Sequence, residues 1–164
     1  MNDVIYETVV STVAADGTPH VAPMGVRYRG ADVVLMPFKP STTLANIVAS
    51  GHAVLNIVLD TRVFAGSVTG RRLWPMQPTE RIGGLRLACA LSHVELALAE
   101  LQDDPQRPVL RMARLFEASH APFIGFIPVR DLAAARAFYE GTLGLRVVAD
   151  TSFALVLDAG GTTL

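Results

Sequence analysis

Apolar and polar positions alternate early in the chain, turn helical twice, and return to alternation. Residues 4–13 (VIYETVVSTV) are rich in β-branched side chains and end at Ala-Asp-Gly-Thr, where Gly17 can take a positive φ. That predicts a strand and a hairpin turn. Residues 20–28 (HVAPMGVRY) make the return strand, Arg-Gly-Ala-Asp turns again at Gly30, and residues 33–38 (VVLMPF) read as a third strand of continuous apolar character. An antiparallel meander opens the chain. Leu44, Ile47 and Val48 then fall at helical spacing, with Ser41 and Thr42 as candidate N-caps and Gly51 where a left-handed closing residue belongs. HAVLNIV, from residue 52, returns to strand. Asp60 can cap a second short helix through Val63, Phe64 and Val68, closed by Gly70, and Trp74-Pro75 sits in a proline-rich connection. Over 84–100, Ala, Leu and Glu favour helix, yet Leu85, Leu87, Cys89 and Leu91 alternate and then change phase into Val94, Leu96 and Leu98. We expect one long bulged strand there. DDPQRP turns the chain, and residues 109–116 read as the hairpin partner. From Phe126 a short strand (FIPV), a helix capped by Asp131 and ended by Gly144, and two strands (LRVVA and FALVLD) spell a βαββ unit. No repeat and no low-complexity tract is visible.

Composition narrows the function classes. At 164 residues, 51% of them hydrophobic, the chain can bury one substantial core. A net charge of −1 without a basic run excludes the electrostatic footprint of a nucleic-acid binder. Asp3 and Glu7 stand where a signal peptide carries Lys or Arg, and no apolar stretch approaches about 18 residues, so no membrane span is readable and a cytoplasmic protein is expected. Cys89, in an apolar segment and without a second cysteine to pair with, is expected to be a small buried hydrophobe.

Candidate chemistry gathers at MPFKPSTTLANIVASGHAVLN, residues 36–56, where the one lysine of the chain, Lys39, precedes a helix start. If Ser41, Thr42 and Thr43 begin that helix, its first-turn N–H groups and positive dipole end favour an anion, the hydroxyls add donors, and Lys39 adds a mobile positive charge. Simple N-capping with a solvated Lys39 accounts for the same residues. Pro23, Met24 and Gly25 could bring backbone close to a flat apolar ring, or form a bulged strand. Asn56, at the end of an apolar strand, needs a hydrogen-bond partner, either a ligand's polar edge or backbone. Trp74 could cover a ring or pack under a loop. His20, His52, His93 and His120 show no metal-ligand spacing, so no metal is expected. GSVTG at 66–70 is not the nucleophile elbow, and the Gly-Gly pairs lack dinucleotide-fold spacing. Arg71-Arg72 read as a solvated pair, or as a contact for an NAD(P)H phosphate.

Two resemblances follow from particular residues. IYETVVSTV, DGTPHVAPMGV, PFKPSTTLANIVASGHAVLN, RVFAGSVTGRR and HAPFIGF, in this order over about residues 5–126, resemble an uncharacterised family of FMN-binding split barrels from archaea and methylotrophic bacteria, relatives of the flavin reductases. The resemblance implies an antiparallel barrel of about six strands, usually dimeric, with FMN at the dimer interface. It also implies that APMGV lies on the strand facing the flavin and that residues 39–43 approach its phosphate. The second stretch, VRDLAAARAFYEGTLGL within residues 126–164, is similar to the opening of a vicinal-oxygen-chelate (glyoxalase-like) domain. Metal-dependent members carry a histidine seven residues before the aspartate; Ile124 stands there, so no metalloenzyme activity is implied.

The expected molecule is therefore mainly β: a split-barrel domain over 1–125 with short helices, then an incomplete βαββ segment over 126–164. Its expected cofactor is FMN, held by His20, Pro23, Met24, Gly25, Lys39, Ser41, Thr42, Thr43, Asn56 and Trp74. The expected activity is flavin-dependent redox chemistry of the flavin-reductase kind in a homodimer, with NAD(P)H or another small redox substrate as partner. A non-catalytic binder of flavin or deazaflavin is the alternative, and a glyoxalase-like protein a third. In a flavoprotein of this kind the flavin carries the hydride, so no protein nucleophile is expected.

Overall fold

The computed structural model describes residues 4–71, 73–120, 129–152 and 155–158. These fall into two compact units, Met1–Ala121 and Pro122–Leu164. In the first unit β1 (Tyr6–Val13), β2 (Pro19–Arg29), β3 (Asp32–Leu35), β4 (His52–Ile57), β7 (Ser92–Gln102) and β8 (Val109–Ser119) close an antiparallel barrel in the order β1-β2-β3-β8-β7-β4. Gly17 and Gly30 take φ of 85° and 61° in the two meander turns, the left-handed conformation that favours glycine.

The barrel interior is apolar. Val10, Val26, Val33, Leu35, Leu55, Leu96, Leu110 and Met112 are fully buried in one cluster. α1 (Thr42–Ser50) adds Leu44 and Ile47 to it, begins at Ser41 and ends at Gly51 with φ 76°. Both of its ends follow the predicted cap residues.

β1 is buried on both faces, which explains its unbroken β-branched run. Val10 points inward, whereas Val9 joins a second cluster outside the barrel with Val58, Val63, Leu87 and Ala90, against which Val21, Phe64, Trp74 and Met76 pack. α2 (Thr61–Val68), capped by Asp60, and the hairpin of β5 (Met76–Pro78) with β6 (Leu85–Leu87) supply that outer layer. The segment over residues 76–90 thus forms a strap across the outer face of β1 and β4.

This strap corrects the reading of 84–100 as one strand. β6 pairs with β5 outside the barrel, a turn over 88–91 follows, and β7 starts at Ser92. The phase change between Leu91 and Val94 marks two strands in different sheets. Register shifts do occur within the β7–β8 pair, between Glu95 and Leu96 and between Leu98 and Glu100. Cys89 is corrected with it: the cysteine lies exposed in that turn instead of in a core.

In the second unit Asp131 accepts the N–H groups of Ala133 (2.8 Å) and Ala134 (3.0 Å) and starts α3 (Leu132–Arg136), which continues as a π-helical turn over Ala137–Thr142. Gly144 follows at φ 70°, and β9 (Arg146–Asp150) pairs with β10 (Leu155–Asp158). Most of the expected first strand, FIPV from residue 126, lies outside the described residues. No helix among the described residues is long and apolar enough to cross a membrane.

Candidate functional site

The junction of β3 and α1 carries the densest group of predicted residues. Ser41 is extended (φ −152°, ψ 148°), its Oγ accepts the N–H of Leu44 at 3.2 Å, and its carbonyl accepts that of Ala45 at 3.1 Å. Helix geometry leaves the N–H groups of Thr42 and Thr43 without an intrahelical acceptor. No acidic residue occupies the first turn, so the positive end of the helix dipole is uncompensated from within the helix. Thr43 is buried and Thr42 exposed. Lys39 Nζ reaches Asp103 Oδ1 at 2.8 Å in an exposed pair, and its hydrogen bond holds the Asp103 carboxyl below the usual carboxylate range. The Arg107 guanidinium lies 4.7 Å from the ring centroid of neighbouring Phe38. A cleft of ≈ 600 Å³ opens here, lined by Lys39, Ser41, Leu44, Val48, Leu101 and Asp103 among others. Lys39 and the cap residue Ser41 therefore stand beside an apolar wall, while Thr42 and Thr43 are not among the lining residues.

The other predicted residues divide between β2 and the outer layer beside the strap, Asn56 on β4 and Trp74 just before β5. His20 stands opposite Thr12 on β1, and Thr12 Oγ1 accepts Asn46 Nδ2 of α1 at 3.0 Å, which puts His20 at the barrel end that α1 closes. Pro23, Met24 and Gly25 stand opposite Val9, Thr8 and Glu7 on β1. Met24 packs against the interior cluster, and its carbonyl accepts Thr8 Oγ1 at 2.8 Å. A Cβ at Gly25 would come within 2.6 Å of Ile5 Cγ2, so a larger residue there would have to displace that exposed side chain.

Asn56 is fully buried on the outer face. Its Nδ2 donates to Val9 O (3.1 Å), Ser11 Oγ (2.9 Å) and Val54 O (3.3 Å), while its Oδ1 accepts the N–H of Leu87 at 2.8 Å. These bonds tie β6 to the barrel. Trp74 packs on the outer cluster against Gly66, where an added Cβ would come within 2.7 Å of its ring, and Arg71 stacks on it at 4.1 Å from a ring centroid. Its Nε1 is buried without a hydrogen-bond partner among the described residues.

Sequence reasoning passed over a second polar group on this face. His93 and Glu95 alternate with Val94 and Leu96 on β7, a pattern that reads as a solvated polar face; the strap buries both completely. Glu95 Oε1 accepts the N–H of Glu80 (2.8 Å), and Oε2 accepts those of Arg81 (2.9 Å) and Ile82 (2.8 Å). Burial pushes the Glu95 carboxyl up, but these backbone donors together outweigh it and hold the group below the usual range. His93 Nε2 lies 3.0 Å from Glu80 Oε2 and 3.4 Å from Glu95 Oε1, and His93 Nδ1 lies 2.7 Å from His120 Nε2. The fold thus joins two histidines 27 residues apart that spacing alone left unconnected. Burial first, then the positive Arg86 and the neighbouring His93, lower the His120 pKa and favour its neutral form.

Residues 6–121 match the family model described as the N-terminal domain of a protein of unknown function, DUF447. The chain belongs to the DUF447 family. All ten predicted site residues lie inside that DUF447 match. Among solved structures, the fold is shared with an FMN-bound DUF447 protein from Methanosarcina mazei at TM-score 0.66 and 23% identity, over 87% of this chain and 78% of that one. It is also shared with an NADH:FAD oxidoreductase from Streptomyces globisporus (TM-score 0.59, 13% identity, 72% and 78% covered). An FMN-binding protein from Thermus thermophilus with bound p-hydroxybenzaldehyde is a third (0.58, 13%, 70% and 71%). Comparison with curated proteins returned no match. The DUF447 unit is thus mainly β and folds as the flavin-reductase-like split barrel.

Proposed function

We propose that this DUF447 protein binds FMN and acts as a flavin-dependent oxidoreductase of the flavin-reductase type. The observation that carries the reading is the N-terminus of α1, free of acidic residues in its first turn, with its cap residue Ser41 and the nearby Lys39 lining the adjacent cleft. A phosphate dianion suits this donor set: the N–H groups of Thr42 and Thr43, the hydroxyls of Ser41 and Thr42, and the Lys39 ammonium. Asp103 is the one misfit, because its carboxylate pairs with Lys39 and would have to release it. Bound FMN would supply the hydride chemistry, as flavins do. The chain's own part is to hold the phosphate at α1, with His20 on the same barrel end and Pro23, Met24 and Gly25 along β2 as the candidates to border the ring. Asn56 and Trp74 are taken up by the outer layer instead: Asn56 is fully buried with Nδ2 and Oδ1 both bonded within the chain, and Trp74 packs on the outer cluster. The similar structures, FMN-bound or FMN-binding in two cases and an NADH:FAD oxidoreductase in the third, support the same cofactor class and an NAD(P)H donor. A cytoplasmic homodimer with the flavin at its interface completes the reading.

The test is absorption and fluorescence of purified protein titrated with FMN, followed by NADH and NADPH. Saturable FMN binding with reduction of the bound flavin supports the proposal. Binding without reduction leaves the flavin or deazaflavin carrier in its place, and absence of binding removes both. The family match ends at Ala121, and the glyoxalase-like reading of 126–164 stays a sequence resemblance without support from the family or from the similar structures.

A further inference from the structure

We propose that Glu80, His93 and Glu95 form a binding site for a divalent transition-metal ion of the zinc class, on the strap face and separate from the residues assigned to FMN. His93 Nε2, one Glu80 oxygen and one Glu95 oxygen all lie within 4.8 Å of one another. Ligands about 2.0–2.1 Å from a tetrahedral zinc stand about 3.3 Å apart. The separations of 3.0 Å (His93 to Glu80) and 3.4 Å (His93 to Glu95) already approximate two edges of that tetrahedron.

Proton bookkeeping favours a cation over simple hydrogen bonding. Two carboxylate oxygens converge on one imidazole nitrogen, which has a single proton to offer. The other ring nitrogen shares a 2.7 Å contact with His120 Nε2, and one proton lies between the two. With a metal on His93 Nε2, the ring carries its proton on Nδ1 and donates it to His120, the outer partner that metal-bound imidazoles generally have. Glu95 is braced similarly: its Oε1 accepts one backbone N–H and its Oε2 two, which leaves Oε1 a free lone pair on the side of His93. Glu80, with its side chain 43% accessible, gives the ion a route in from solvent. Three protein ligands leave a fourth position open. A mixed imidazole and carboxylate set favours zinc and its neighbours over magnesium or calcium.

The experiment is calorimetric titration of the chelator-treated full chain with ZnCl₂, repeated with Co²⁺ to read tetrahedral coordination from its visible absorption. Glu95→Gln is a poor first variant, because Glu95 also fastens the strap. Glu80→Gln, at an exposed position, is the decisive one, with folding verified by circular dichroism. One Zn²⁺ per chain is expected, weakened at least about tenfold by Glu80→Gln, about 10–100-fold by His120→Ala, and unchanged by His52→Ala. Absence of binding, octahedral cobalt, equal affinity in Glu80→Gln, or a loss in His52→Ala would overturn the proposal. Because no FMN ligand is involved, it stands or falls independently of the cofactor reading.

Discussion

Asn56 places both of its side-chain polar atoms in hydrogen bonds within 3.3 Å, in a position with no solvent access. Asn56→Ala would leave the N–H of Leu87 buried and unpaired, at a cost of about 1–3 kcal/mol. Chemical denaturation should show that loss, with the β5–β6 hairpin exchanging its amide protons faster. Lys39 sits at the opposite extreme, exposed and ion-paired, where a side chain is easily redirected. Asp103→Asn frees it, so FMN affinity is expected to rise, by less than about fivefold because surface pairs are weak. A fall in affinity would mean that Asp103 helps to shape the cleft.

The strap separates what was legible in the sequence from what was not. α1 was readable at both ends because capping is local: Ser41 and Gly51 announce themselves within one turn of the residues they serve. β7 was misread for a nonlocal reason. Alternation of His93 and Glu95 with Val94 and Leu96 reports two chemically different faces, and nothing in the local pattern says that residues 79–82 return to cover the polar one. The same blindness hid the exposure of Cys89, whose apolar neighbours belong to two different layers. Glu95 is the pin of that covering layer. Glu95→Gln should cost about 1.5–3 kcal/mol, and hydrogen exchange should accelerate at the amides of Glu80, Arg81 and Ile82, with α1 unaffected. Uniform acceleration over the whole barrel would assign Glu95 to global stability instead.

For the molecule as a whole, if the proposed anion site at α1 holds the phosphate, FMN should bind the folded protein and not the unfolded chain. Ligand at about 100 times its dissociation constant then adds about 2.7 kcal/mol of apparent stability, visible as a concentration-dependent rise in melting temperature. Riboflavin shares the ring system of FMN and lacks the phosphate. Comparison of the two in the native protein and in Lys39→Ala therefore isolates the role of the α1 junction. Native protein should bind FMN more tightly than riboflavin by at least about tenfold, and Lys39→Ala should lose FMN affinity while leaving riboflavin affinity unchanged. Equal affinity for FMN and riboflavin in the native protein would contradict phosphate binding at the start of α1.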